Sequence, residues 1–180
     1  MAAITSQLMT VEEFRKLPED SGPVYHELRH GELVAVTRPT LKHHLIQSRL
    51  RDLLKAVSPA GSFLEYEVAF RPLPEYELRV ADIAYVSPER WTPADLDSNI
   101  LGAPDLVIEV VSPSNTVAEL YEREQLCLAN GSREFWVVDP DRRQIRVATP
   151  DGTTKTYGSG REIPLPLFGE ARLSVDSVFA

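Results

Sequence analysis

Two acidic residues sit where acids are costly. Asp82 interrupts Val80-Ala81-Asp82-Ile83-Ala84-Tyr85-Val86, and Glu109 interrupts Leu106-Val107-Ile108-Glu109-Val110-Val111. Both stretches are otherwise apolar, short and bounded by turn residues, a pattern that predicts buried strands. A carboxylate in such a strand must be paired, protonated or bound to a metal, because isolated burial of charge is unfavourable. Two of them on neighbouring strands repel unless a cation lies between. A hard divalent ion, Mg2+ or Mn2+, accepts carboxylate, carbonyl and water oxygens. It activates water for attack on a phosphodiester and stabilises the departing oxygen. The plainer reading has Asp82 facing solvent on an edge strand and Glu109 paired with an arginine. The two strands alone leave both readings open.

Other candidates carry weaker signals. His43 and His44 are adjacent, so they diverge on a helix, while His26 and His30 flank Glu27. These four histidines show no zinc-site spacing. There is no Gly-x-Ser-x-Gly elbow and no glycine-rich phosphate loop. Ser112 and Ser114 therefore read as strand terminator and helix cap rather than nucleophiles. Cys127 is the only cysteine, which excludes an internal disulfide, and its apolar surroundings point to packing. Trp136, between Phe135 and Val137, reads as core or interface.

The elements that must position these residues follow from the rest of the chain. Thr10 and Glu13 form a capping-box pattern for a short helix ending before Pro18. Tyr25 to Val36 reads as a hairpin turning at His30-Gly31. From Thr40 to Val57 the apolar spacing is helical, through Leu41, Leu45, Ile46, Leu50, Leu53, Leu54 and Val57. Ser62 to Phe70 is a strand, and Ser87 to Ala103 a polar loop with one helical turn. Thr116 and Glu119 repeat the capping box, opening a helix closed by Asn130-Gly131. On it Val117, Leu120, Tyr121, Cys127 and Leu128 define the apolar face. Arg123 falls at the margin of that face and Glu124 nearer its centre. Arg123 either reaches along apolar surface toward the sheet or forms a surface pair with Glu119. Glu124 either pairs with an arginine or approaches the metal. Strands at Arg133–Val138, Gln144–Ala148 and Thr153–Tyr157 follow, then a tail of short strands and turns finishing near Val175 to Phe179. The expected fold is α/β, a mixed sheet flanked by helices, with β-hairpins at both ends.

With 180 residues, a single domain spanning 1–180 is expected, with a helical extension over 1–24. No apolar run approaches the roughly 20 residues that span a bilayer, and the first ten residues make a poor secretory signal. A cytoplasmic protein without membrane contact is the expectation. The net charge of −8 argues against a simple nucleic-acid coat protein, although a basic cleft can coexist with an acidic whole.

The segment Pro104-Asp105-Leu106-Val107-Ile108-Glu109-Val110-Val111-Ser112-Pro113-Ser114 resembles the signature strand of the Uma-type restriction endonucleases, once catalogued as a domain of unknown function. Tyr25-His26-Glu27-Leu28 and Gly31-Glu32-Leu33 are similar to that family's opening hairpin. His43, Ile46 and Leu50 resemble its His-led helix, and Val80-Ala81-Asp82-Ile83 its first acidic strand. Gly131 and Glu134-Phe135-Trp136-Val137-Val138-Asp139-Pro140 resemble its closing strand and turn.

The resemblance implies the PD-(D/E)xK, restriction-endonuclease-like fold with metal at the split of the sheet. It assigns Asp82 and Glu109 as metal-binding carboxylates and adds the Val110 carbonyl as a ligand. The superfamily's lysine ordinarily falls two residues after the glutamate, where this chain has Val111. In this family it is expected from the following helix, at the position of Arg123. Arginine keeps the charge but cannot give up a proton. Glu27 matches the hairpin glutamate that extends the site, or is a salt-bridged hairpin residue. His43 is implied as a phosphate contact, against local packing at a helix start.

The implied activity is cleavage of DNA with water activated by Mg2+ or Mn2+, and a homodimer would suit paired cuts. The alternative is a catalytically impaired relative that binds nucleic acid or protein. A metal-free acyl or glycosyl hydrolase using two carboxylates is a third reading.

Overall fold

Hydrogen-bonding side chains fix where the helices begin. The computed structural model describes residues 8–91, 98–112 and 115–180. Both capping boxes are formed. Thr10 and Glu13 cap α1, Val11–Phe14, and Thr116 and Glu119 cap α3, Val117–Ala129. Thr40 accepts the His43 N–H at the start of α2, Leu41–Lys55. The first hairpin joins β1, Val24–Arg29, to β2, Glu32–Thr37. Its turn residues His30 and Gly31 both take positive φ, 50° and 75°, as a two-residue hairpin turn requires. A Cβ at Gly31 would come within 2.7 Å of the Leu8 Cβ.

The main sheet has seven strands in the order β5-β3-β4-β6-β7-β8-β9. They are β3, Phe63–Arg71; β4, Arg79–Val86; β5, Ile100–Leu101; β6, Leu106–Val110; β7, Glu134–Asp139; β8, Gln144–Ala148; and β9, Thr154–Tyr157. Most neighbours run antiparallel, but β6 and β7 are parallel, as is the two-residue pairing of β5 with β3. Parallel neighbours need a long crossover, and between β6 and β7 α3 is that crossover. A second small hairpin, β10 (Glu162–Pro164) with β11 (Arg172–Ser174), leads to the helical turn α4, Val175–Val178. The sheet is therefore mixed α/β, flanked by helices and accompanied by hairpins at both ends. The sequence shows neither β5 nor the helical character of α4, since each is only one turn or one residue pair long. Residues 92–97 of the expected loop, 1–7 of the expected extension, and Pro113 and Ser114 lie outside the described residues.

A core forms on each face of the sheet. Ile46, Leu50 and Leu54 of α2 pack with Ile83, Ile108 and Trp136 on one face. Cys127 of α3 packs with Ala84, Val107 and Phe135 on the other. Both helices are rotated away from the face that apolar spacing predicts. On α2 the buried set is His43, Ile46, Gln47, Leu50 and Leu54, while Leu41 and Leu45 are exposed. On α3 it is Arg123, Glu124 and Cys127, while Val117 and Tyr121 are exposed. The α2 set recurs at i, i+3, i+4, i+7, and the α3 set does so once the partly buried Leu120 is included, so the helices keep an inward face but bury polar groups on it. Among the described residues no helix is long and apolar enough to cross a membrane.

Candidate functional site

Pairing between β4 and β6 runs through Tyr85↔Leu106, Ala84↔Val107 and Ile83↔Ile108, and stops there. Continued by one step, the same register would pair Asp82 with Glu109. The sheet thus parts at the two carboxylates picked out by their apolar surroundings. On its other side Asp82 is also skipped: β3 pairs Tyr66↔Ile83 and Val68↔Ala81. Glu67, opposite Asp82, takes φ 53°, a region that non-glycine residues seldom occupy.

Freed from both ladders, Asp82 is held by side chains of α2 and by β6. Gln47 Nε2 donates to its Oδ1 at 3.0 Å, and His43 Nε2 lies 3.0 Å from the same oxygen. The Val110 N–H donates to Oδ2 at 2.6 Å. A residue's N–H and C=O point to the same side of an extended strand, so the Val110 carbonyl faces the split as well.

Glu109 is held from α3. Arg123 Nη1 donates to both Glu109 oxygens, at 3.0 and 3.1 Å, and to the Val80 carbonyl at 2.9 Å. Its Nη2 donates to both oxygens of Glu27 on β1, at 2.8 and 2.6 Å. Glu27 also accepts the Val80 N–H at 2.9 Å and meets Arg29 at 2.9 Å. Arg123 is only 7% exposed, so it lies inside the helix–sheet interface rather than at its margin. Of the two readings of Arg123, the reach toward the sheet holds, and the alternative surface pair with Glu119 does not form. Glu119 instead caps Thr116 and meets Arg29 at 3.2 Å. Glu124 turns from the site and pairs with Arg146 of β8 at 2.6 Å.

The two glutamates sharing Arg123 titrate in opposite senses. Burial raises Glu109, and the nearby charges of Asp82 and Glu27 add to that against Arg123, so its carboxyl is pushed up to about 8. Burial also opposes ionisation of Glu27, but Arg123, the Val80 N–H, Arg29 and Arg79 outweigh it and hold the carboxyl below its ordinary value. Burial likewise disfavours charge on Arg123, yet Glu109 and Glu27 reverse this and hold its pKa above the usual arginine value.

A cavity of about 230 Å³ opens here, lined among others by Tyr25, Arg38, His43, Asp82, Glu109 and Arg123. Asp82, Glu109, Val110, Arg123 and His43 thus share one cavity, with Glu27 directly behind Arg123. Three participants escape the sequence reading. Gln47 follows His43 by four positions, the spacing that puts two side chains on one helix face. Tyr25 precedes Glu27 by two, the spacing of one strand face. Arg38, just past β2, carries no such signal. Burial, then the Glu27 charge, raises the Tyr25 phenol, which keeps it a neutral hydrogen-bond donor.

Among the described residues no three histidine, cysteine or carboxylate side chains could hold a metal together. The scattered histidines instead make separate contacts: His26 with Asp20 and His30 with Glu77 and Glu122. The donor set at the split is of another kind, two carboxylates with a backbone carbonyl facing the same gap. Mg2+ is commonly bound through one or two carboxylates while it keeps several waters. The raised Glu109 carboxyl is also the group a cation would return to its ionised form. The chemistry of these donors therefore fits a hard divalent ion.

The site thus lies in a mixed sheet that parts at two acids, with a helix on either face. A family model for Uma2, described as "Putative restriction endonuclease", matches residues 11–176, and the chain belongs to that family. The resemblance carried by the strand and hairpin motifs is thereby borne out over nearly the whole sequence. The crystal structure of a "putative nuclease belonging to DUF820" from Anabaena variabilis ATCC 29413 is similar, with a TM-score of 0.80 and 26% identity. The similarity covers 95% of this chain and 97% of that one. No curated protein matches the chain.

Proposed function

We propose that this protein is a metal-dependent endonuclease that hydrolyses DNA phosphodiester bonds, with Asp82, Glu109 and the Val110 carbonyl as ligands for Mg2+ or Mn2+. The observation that carries this reading is the end of β4–β6 pairing one step before Asp82 and Glu109, beside a cavity both acids line. Family membership and the nuclease description of the similar structure support it. When bound, the ion supplies an activated water and counter-charge for the departing oxygen.

The chain's own residues do the rest. Asp82 and Glu109 present oxygens from two adjacent strands, Asp82 held by Gln47, His43 and the Val110 N–H and Glu109 by Arg123. Arg123 steadies Glu109 and places a permanent positive charge beside the phosphate, where negative charge develops in the transition state. It transfers no proton, since its guanidinium stays charged. Glu27 holds the other edge of Arg123 and so sets where that charge sits. His43, on the cavity wall, contacts the substrate phosphate.

A second reading has one observation in its favour. Both guanidinium nitrogens of Arg123 are already engaged with glutamates, which suits a catalytically quiet module that binds nucleic acid or protein. Plasmid cleavage with Mg2+ or Mn2+ separates the two. Wild-type protein is expected to cut, and Asp82→Ala and Glu109→Ala to lose at least a hundredfold, as removal of a key electrostatic group does. Cutting that persists in both variants would sink the nuclease reading. If wild type is inert and Arg123→Lys cuts, the second reading holds for the natural chain.

A further inference from the structure

We infer that Gln47 is a positioning residue that turns Asp82 so that one oxygen, Oδ2, faces the cation; this rests on the metal-dependent reading above. Gln47 is 1% exposed, yet a neutral amide is a poor filler for a core position. Its Nε2 donates to Asp82 Oδ1 at 3.0 Å and reaches the Asp82 backbone carbonyl at 3.4 Å. Both neighbours are acceptors, so the nitrogen of the amide, not its oxygen, must face them. The other end of the amide, Oε1, is buried and has no hydrogen-bond partner among the described residues. An unmade bond of this kind destabilises a fold. A leucine of similar size would pack between Ile46 and Leu50 without that loss. The glutamine makes physical sense through what its nitrogen does to Asp82.

That effect is directional. Oδ1 faces the α2 side, where both Gln47 Nε2 and His43 Nε2 lie 3.0 Å away. Oδ2 faces Val110 and the split. Gln47 therefore commits Asp82 to one rotamer and to binding through one oxygen. Because the amide is neutral, it orients the carboxylate without cancelling its charge. A lysine or arginine here would compete with the cation. Partners of this sort behind a metal ligand typically change affinity by 10- to 100-fold when removed.

The test is calorimetric titration of the full chain with MnCl2 alone, beside thermal melts. Wild type, Gln47→Leu, Gln47→Asn and the core variant Leu50→Ala are compared. Gln47→Leu is expected to bind Mn2+ about tenfold more weakly while its melting temperature stays level or rises. Gln47→Asn keeps the amide but withdraws it by one methylene, and weakens binding similarly. It also serves if the leucine variant does not fold. Leu50→Ala lowers the melting temperature and leaves Mn2+ affinity unchanged, which separates orientation from simple loosening of α2. Equal Mn2+ affinity in wild type and the Gln47 variants overturns this inference and spares the metal reading. No Mn2+ binding by wild type overturns both.

Discussion

The two helices flanking the sheet hold the acids of the site by different means. From α2, Asp82 receives an amide and an imidazole. From α3, Glu109 and Glu27 receive a single guanidinium. The amide orients a carboxylate and leaves its charge in place. A cation in a dry interface cancels charge and ties several elements together, and its loss leaves buried acids uncompensated. Asp82 is therefore oriented by partners from α2 and β6, while Glu109 and Glu27 belong to a buried ion cluster with structural weight. The same Arg123 serves Glu27 and Glu109 unequally, because Glu27 also has Arg29 and the Val80 N–H, whereas Glu109 has Asp82 for company.

The largest expected effect comes from breaking the charged side. Arg123→Leu strands two buried carboxylates and should cost about 3–5 kcal/mol. In a chain of this size that lowers the melting temperature by about 10 °C, measured by calorimetry or circular dichroism. A change under about 2 °C would show that the cluster has little structural weight. Next is pH. The Glu109 carboxyl, raised from an ordinary value of 4.5 to about 8, binds its proton more tightly in the fold than in the open chain. Its contribution to stability is complete below about pH 4.5 and is lost as pH rises through about 8. Urea midpoints of metal-free protein should fall over that window, and Glu109→Gln should flatten the decline. Mn2+ should stabilise wild type more at pH 8 than at pH 5, since the ion competes with that proton. The smallest effect is at Val117, apolar but 86% exposed. Val117→Ser should move stability by no more than about 0.5 kcal/mol, in contrast to its helix-mate Arg123.

That contrast also marks how far the sequence can be read. Asp82 and Glu109 are legible because a charge inside an apolar strand needs a reason. The capping boxes at Thr10 and Thr116 are legible because they are local bonds between residues three apart. The orientations of α2 and α3 are not, because counting apolar positions assumes that helices bury only apolar groups. Here His43, Gln47, Arg123 and Glu124 face inward and displace Leu41, Leu45, Val117 and Tyr121 to solvent. Family resemblance singles out Arg123, but its partner Glu27 lies on a strand 96 residues away, which no spacing rule reaches. The kink at Glu67 is silent for a similar reason: it reflects where β3 lies beside Asp82, not what Glu67 is.

The first hairpin stands outside the main sheet, and two strands alone are marginal in water. It is moored at Leu28, which exchanges both backbone hydrogen bonds with Leu78, and along α3, where Glu27, Arg29 and His30 meet Arg123, Glu119 and Glu122. Its Tyr25 and Thr37 form part of the cavity wall. Concentrated salt screens the outer two of those three moorings but barely touches the buried one. In brine the hairpin would hence stay attached through the backbone bonds of Leu28 and Gly31 and the buried Glu27–Arg123 pair. Its amides would exchange with deuterium by a local excursion long before those of β6 do.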